Sequence, residues 1–481
     1  MRGIVGIRCH TVCRKCEQVD KPDFQKNETT TGGSLLRWRR LCPAWSELFQ
    51  SDAMTAPHTS NANTSSRPGA LSHLRVLDLS RVLAGPWCTQ NLADMGADVI
   101  KIEKPGEGDD TRHWGPPFFA DAAGDPSQHA CYFAACNRNK RSVTVDMATA
   151  EGQEIIRELA KQSDIVVENF KTGGLKRYGL DYASLSALNP RLIYCSVTGF
   201  GQTGPYAPRA GYDLLIQAMS GLMSITGRAD TEPGGGPMRV GVAVIDLFTG
   251  MYATSAILSA LEARHHTGKG QHIDMALLDV AMAILANQGA GFLNTGNIPG
   301  RQGNTHPSVV PYQDFPTADG NVLLAIGNDG QFARFCEAAG VEWHKDAKFT
   351  TNAARVINRV QMVEMMSKLT RTRTTAEWIA LLESRAVPCG PINNIAQAFS
   401  DPHVQSRGLR VEQDRYAEGQ VPEGEVVNRV ITTANPMRLS DTPATFRYAP
   451  PALGQHTQEV LRDVLKLDEA KLQELREKKV L

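Results

Sequence analysis

The sequence predicts an α/β protein: a large domain built on a Rossmann-like, doubly wound parallel sheet, with a smaller α+β domain beside it. Two observations carry this. Short apolar strands alternate with amphipathic helical segments from Leu74 to Ala276. From about Asn287 the composition then shifts through Gly-rich stretches into a different mix of strands and helices. A length of 481 residues gives room for two or three domains.

The elements follow in order. Leu74–Ser80 reads as the first strand, Ala84-Gly85-Pro86 as a turn, and Cys88–Ala97 as a helix. Strands are expected at Asp98–Glu103, Ser142–Asp146, Asp164–Glu168 and Leu192–Val197, with a helix over Ala148–Gln162. Gly199–Pro205 is a Gly-rich loop at a strand end, leading to a helix over Leu214–Ser220. A long helix begins at Asp246, and His272–Ala276 is the next strand. In the smaller domain, strands are expected at Val309–Phe315 and Asn321–Ile326, and helices at Asp329–Ala339 and Arg359–Leu369. The chain ends in a polar amphipathic helix near Leu467–Lys479.

The expected organisation is an extension over 1–70, the first part of the large domain over 71–285, linkers and small domain over 286–395, and a return segment over 396–481. Residues 1–70 lack periodicity and read as a disordered or non-native extension, and Met54 is an expected start of the native product. The acidic residues in that stretch argue against a mitochondrial leader, so a cytoplasmic location is expected. Cys13 and Cys16, with Cys9 and Cys42 nearby, lack the second half of a zinc motif, and no metal is expected. The ten cysteines are scattered, mostly in apolar settings, as in a reducing compartment.

Lys plus Arg equals Asp plus Glu at 51 each, so no global charge draws the chain to nucleic acid or an anionic membrane. No apolar run is expected to reach the roughly 18 residues of a membrane span. GxGxxG after the first strand and GxxxxGK[ST] anywhere are both missing, which disfavours ordinary dinucleotide and P-loop binding.

Asp246 is the one ionisable residue in the apolar stretch Gly241–Gly250. It reads as a helix N-cap and, compatibly, as a nucleophilic carboxylate held at a helix N-terminus. Asp213 has the same N-cap appearance before its own helix. Lys104, Lys171 and Arg177 follow strand ends, where a doubly wound sheet binds ligands, and suit the phosphates and adenine of a CoA-like molecule. The basic turn Asn137–Arg141, including Arg138, is placed to meet phosphate. Gly108–Phe118 has no structural period and reads as an ordered functional loop; Arg112 and His113 within it, and His306 in the later Gly-rich segment, are candidates for a substrate carboxylate.

Several blocks taken together identify a family. Val82-Leu-Ala-Gly-Pro86, Gly96–Pro105, Asn137–Ser142, Val167-Glu-Asn-Phe170, Gly201–Pro205, Thr267–Gly270, Leu453–Thr457 and Asp246 itself resemble the class III CoA-transferases, the CaiB/BaiF family, over Leu71 to Leu481. Gly108–Phe118, Ser220–Gly227 and His306–Gln313 are most similar to the members that exchange CoA between succinyl-CoA and glutarate. The resemblance implies a nucleophilic aspartate at Asp246, CoA contacts from Lys104, Lys171 and Arg177, and an interlocked homodimer of ring-like subunits. It also implies a large domain made from both ends of the chain. The substrates it implies are an acyl-CoA and a short dicarboxylic acid, with the CoA thioester as substrate and no permanently bound cofactor. The alternative within the same fold is an α-methylacyl-CoA racemase. Racemase relatives carry His before the aspartate matching Asp213, whereas this chain has Tyr212, which disfavours two-sided proton transfer. Leu83 where formyl-CoA transferases have Gln, and a small domain without their long poly-Gly loop, argue against oxalate as the acceptor.

Overall fold

The computed structural model describes residues 68–121 and 124–481. The expectations for the N-terminal extension, Cys9, Cys13, Cys16, Cys42 and the start at Met54 lie outside the described residues. Six strands form the main sheet: β1 (Arg75–Asp78), β2 (Asp98–Glu103), β3 (Lys140–Thr144), β4 (Ile165–Glu168), β5 (Ile193–Thr198) and β6 (His272–Ala276). All pair in parallel, in the spatial order β3-β2-β1-β4-β5-β6. The order reverses between β1 and β4, the switch point at which such sheets open a crevice beyond their carboxyl ends.

The period of two along each strand divides the core between the two faces. Leu77, Ile100 and Val166 face one cluster, which takes in Val460, Leu461, Leu472 and Leu475 from the C-terminal helices. Val76, Val99, Ile165 and Val167 face the other, with residues of helices α1 (Ala84–Asp94) and α4 (Val244–Thr267). Two further helices matter here: α2 (Ala150–Lys161), capped by Thr149 Oγ1 accepting from Gly152 N at 3.0 Å, and α3 (Asp213–Met219). Helices α1 and α4 touch closely enough that a Cβ on Gly250 would lie 2.8 Å from the Ala84 carbonyl oxygen and 2.9 Å from the Trp87 ring.

Between α4 and the C-terminal helices in sequence lies a three-stranded antiparallel sheet, with Asn321–Ala325 flanked by Tyr312–Pro316 and Cys389–Pro391. Its own core holds Phe315, Phe332, Phe335, Phe349 and Trp378.

Three expectations need correction. Ala84–Pro86 is the first turn of α1 rather than a loop, because proline at that depth gives up only an N–H that lacks an intrahelical partner. The turn falls earlier, where Val82 takes φ +69°, a left-handed conformation that costs a β-branched residue and is held by its surroundings. Strand β3 begins at Lys140, two residues before expectation, because acidic groups on β1 and β2, Asp78 and Asp98, partner its first side chains. Finally, α4 spans 24 residues with a mean hydropathy of 1.5 over its most apolar window, long and apolar enough by those measures to cross a membrane. One side of it packs against α1 and the sheet core.

Candidate active site

Beyond the strand ends lies a cleft of about 960 Å³. Leu79, Glu103, Val145, Asn169, Val197 and Leu277, from the ends of all six strands or the residues just after them, contribute to its wall. So does Asp246.

Asp246 is not the N-cap of α4. The helix starts at Val244, after Ala243, which has no capping side chain, so Asp246 sits in the first turn. The cap comes from elsewhere. Asp213 Oδ1 accepts from Ile245 N at 2.8 Å and from Asp246 N at 3.3 Å, satisfying two donors that a helix start leaves open. Asp213 itself opens α3 but caps nothing there, since Tyr212 occupies the N-cap position. Its other oxygen accepts from Gln217 Nε2 at 2.5 Å. Burial raises the Asp246 carboxyl, and the Asp213 charge raises it further, to about 7. Near neutrality it therefore titrates, with a substantial nucleophilic fraction.

Tyr132 feels the charge of the same carboxylates. Burial, followed by the charges of Asp246, Cys136 and Asp213, pushes its phenol up to about 12, so it stays protonated as a hydrogen-bond donor. Its ring meets Trp114 edge-on at 5.8 Å.

The loop after β1 is clamped from several sides. Asn169 Oδ1 accepts from Arg81 N at 2.8 Å, and its amide donates to the Arg81 carbonyl at 2.6 Å. Both oxygens of Asp109 accept from Val82 N at 3.2 Å, while Lys101 donates to the Ser80 carbonyl at 2.8 Å. Those contacts hold the left-handed Val82 at the cleft. Asp109 is lowered to about 2: Lys101 and the Thr111 donors outweigh its burial.

The candidate cations separate into two groups. Lys104, Lys171, Arg177 and His113 line the cleft. Lys104 pairs with exposed Glu107 at 2.5 Å, and His113 Nε2 lies 3.0 Å from the Glu107 carbonyl. Among the described residues, Lys171 and Arg177 have no carboxylate partner, and Arg177 lies 4.5 Å over the Tyr178 ring. Arg112 and Arg138 are not available to a ligand. Arg112 holds Glu103 through Nε and Nη2 at 2.8 and 2.7 Å, donates to the Pro451 carbonyl and stacks 3.6 Å over Phe133. Arg138 is 1% exposed and grips Asp94 together with Thr432 and Thr433, anchoring the return segment. His306 lies outside the cleft, its Nδ1 accepting from Ser308 N at 3.1 Å. Among the described residues no group of three His, Cys, Asp or Glu is arranged to hold a metal ion.

A model of CoA-transferase family III matches residues 71–457. The chain belongs to that family. A succinate–glutarate CoA-transferase of Agrobacterium fabrum is 51% identical over 399 residues, covering 83% of this chain and 96% of its own. The human succinyl-CoA:glutarate CoA-transferase is 41% identical over 84% of this chain and 88% of its own. A succinyl-CoA:mesaconate CoA-transferase of Haloarcula hispanica is 37% identical over 82% and 96% respectively. Among solved structures, a CaiB/BaiF family protein from Brucella suis superposes with a TM-score of 0.71 at 47% identity, over 83% of this chain and all of its own. As a family III member the protein is an enzyme that transfers CoA.

Two residues of this family III site escaped the sequence reading. Gln217 stands four residues after Asp213, one helical turn away, which is a readable signal. Tyr132 carries no local signal, since Cys131–Ala134 is a single short turn of helix reached from a distant loop.

Proposed function

We propose that this family III enzyme moves CoA from an acyl-CoA, with succinyl-CoA the favoured donor, to a short dicarboxylic acid such as glutarate. The observation that carries this is one cleft holding Asp246, raised to about 7, together with Lys171 and Arg177, which have no carboxylate partner among the described residues. The printed activities of the relatives agree with it.

In this reading the Asp246 carboxylate attacks the thioester carbonyl, breaking its C–S bond to give an aspartyl–acyl anhydride and CoA thiolate. The thiolate attacks the aspartyl carbonyl and expels the donor as its carboxylate, leaving an aspartyl-CoA thioester. The acceptor carboxylate attacks that carbonyl and releases the thiolate again. Attack by the thiolate on the acceptor's acyl carbon then frees Asp246 and completes the new thioester. No net proton is consumed. Lys104, Lys171 and Arg177 hold the CoA phosphates as charge-assisted donors. His113 lines the cleft and would meet a distal substrate carboxylate.

The working form is a homodimer in this proposal. Phe248, Met251, Tyr252 and Leu258 expose one apolar side of α4, more than an isolated subunit ordinarily shows to water. The setting is a reducing cytoplasm, in keeping with free thiols at Cys88, Cys131, Cys136, Cys195, Cys336 and Cys389.

Incubation with succinyl-CoA and a panel of dicarboxylic acids, followed by mass analysis of the thioesters, tests the reaction. New thioesters with glutarate or its neighbours are expected, along with an Asp246 adduct trapped by hydroxylamine. Washout of an α-proton from a branched acyl-CoA with no acid dependence would replace this reading with racemisation.

A further inference from the structure

One carboxylate of the site, Asp213, is tied by a buried side-chain amide to the backbone that leads into α4. Gln217 is fully buried on α3. Its Nε2 donates to Asp213 Oδ2 at 2.5 Å, and its Oε1 accepts from Val240 N at 3.0 Å. The chemistry of the partners fixes the amide's orientation: the backbone N–H can only donate, and an ionised carboxylate can only accept. Val240 lies in the segment joining Thr226 to α4, three residues before Ala243, the residue that precedes the helix. The far end of that segment is anchored separately, by Met238 N donating to the Thr226 carbonyl at 2.9 Å and Gly303 N donating to the Gly227 carbonyl at 3.0 Å. One buried amide therefore connects the carboxylate that caps α4 to the backbone leading into α4.

We propose that Gln217 is a positioning residue for the transfer reaction. It fixes Asp213 against the first turn of α4 and fixes the backbone before that turn, so that Asp246 is presented to the thioester in one geometry and beside one fixed negative charge. This rests on the reading of Asp246 as nucleophile. Gln217 touches no substrate; it acts through Asp213 and Val240. A caps-only role for Asp213 would need one oxygen, and Oδ1 already supplies it. The second oxygen is held by the amide, which removes the carboxylate's freedom to rotate away from the helix.

Among the described residues, the groups whose charges couple to the pair are Asp246 on α4, Asp213 on α3, and Tyr132 with Cys136 at the short helix Cys131–Ala134. Two nearly isosteric variants separate charge from geometry. Gln217→Glu keeps the acceptor toward Val240 N but sets a carboxylate where the amide donor stood. Its kcat is expected to fall about 30-fold, with KM for succinyl-CoA changed less than about threefold, and the acidic limb of the rate profile should move up by about one pH unit. Gln217→Met removes both hydrogen bonds and adds no charge. Its kcat should fall about tenfold, with the limb displaced by less than about 0.5 unit.

A second readout needs no turnover. The rate at which a carbodiimide modifies Asp246, followed by peptide mass against pH, should show the same upward displacement in Gln217→Glu. The carbodiimide arm keeps the idea testable if the wild type exchanges CoA with no acid, which would sink the transferase reading alone. Rates within twofold of wild type for both variants, with neither the limb nor the modification midpoint moved, would overturn the role of Gln217.

Discussion

Two sets of charges lie within a few residues of each other at the strand ends, and they behave as different materials. Beneath the cleft, Asp78 meets Lys140 at 3.0 Å, Lys101 meets Asp109 at 2.9 Å and Arg112 meets Glu103 at 2.7 Å. These pairs are nearly or wholly without solvent, and further donors from Ser80, Thr89, Thr111 and Ser142 complete them. In the cleft itself Asp246 has a like charge for a neighbour, while Lys171 and Arg177 have no carboxylate partner among the described residues. Buried charge that is fully partnered gives shape; charge left without a partner around a hollow gives chemistry. The distinction is physical, because desolvating an unpaired charge is costly and persists only where a ligand or a reaction uses it.

The comparison breaks most visibly at Asp246. Asp246→Asn keeps the shape and removes the nucleophile, and turnover should fall by at least about 1000-fold while acyl-CoA binding persists. A variant retaining a tenth of the wild-type rate in the thioester exchange assay would remove Asp246 from the reaction.

The next test sets one cation from each class against the other. Arg112→Met strands the Glu103 carboxylate, and stability should drop by about 3–5 kcal/mol in denaturant titration, with KM for the acyl-CoA little changed in the folded fraction. Lys171→Ala and Arg177→Ala should each do the reverse. KM is expected to rise about tenfold, worth about 1.4 kcal/mol, more weakly so at high salt, with the unfolding midpoint unmoved. An Arg112 variant that lost CoA affinity at full stability would place that guanidinium in the ligand site after all.

That same division marks what could be read from sequence. The sheet was legible because runs such as Val99-Ile-Lys-Ile102 sit between helical segments, and strand spacing survives without knowledge of partners. Lys104, Lys171 and Arg177 were legible as cleft residues for the same reason: they follow strand ends. Arg112 and Arg138 are misread because a cation in a Gly- and aromatic-rich loop, or in a basic turn, looks identical whether it awaits a phosphate or already holds a carboxylate. Their partners Glu103 and Asp94 lie on other elements, nine and 44 residues away. The cap of α4 was hidden for a related cause. Asp246 has the sequence of an N-cap, but the oxygen that caps the helix arrives from Asp213, 33 residues earlier.

The pH dependence of stability gives the two classes of charge opposite signs. A folded-state carboxyl raised above its unfolded value of about 3.8 binds a proton that the unfolded chain has given up. The stability that this proton confers is fully present below that value and is lost as pH rises through about 7. At pH 8 the ionised Asp246 is therefore a cost to the fold, and Asp246→Asn should stabilise the protein. Solvent reaching a cleft-lining group reduces the effect to about 1 kcal/mol, vanishing at pH 4. Asp109, lowered to about 2, has the opposite linkage: its stability is present above the unfolded value and disappears as pH falls toward 2, so Asp109→Asn should destabilise at pH 8. Denaturant midpoints of the two variants at pH 4 and pH 8 check both signs at once. If Asp246→Asn lowered the midpoint at pH 8, its carboxylate would have a cationic partner in the fold and would belong with the buried pairs beneath it.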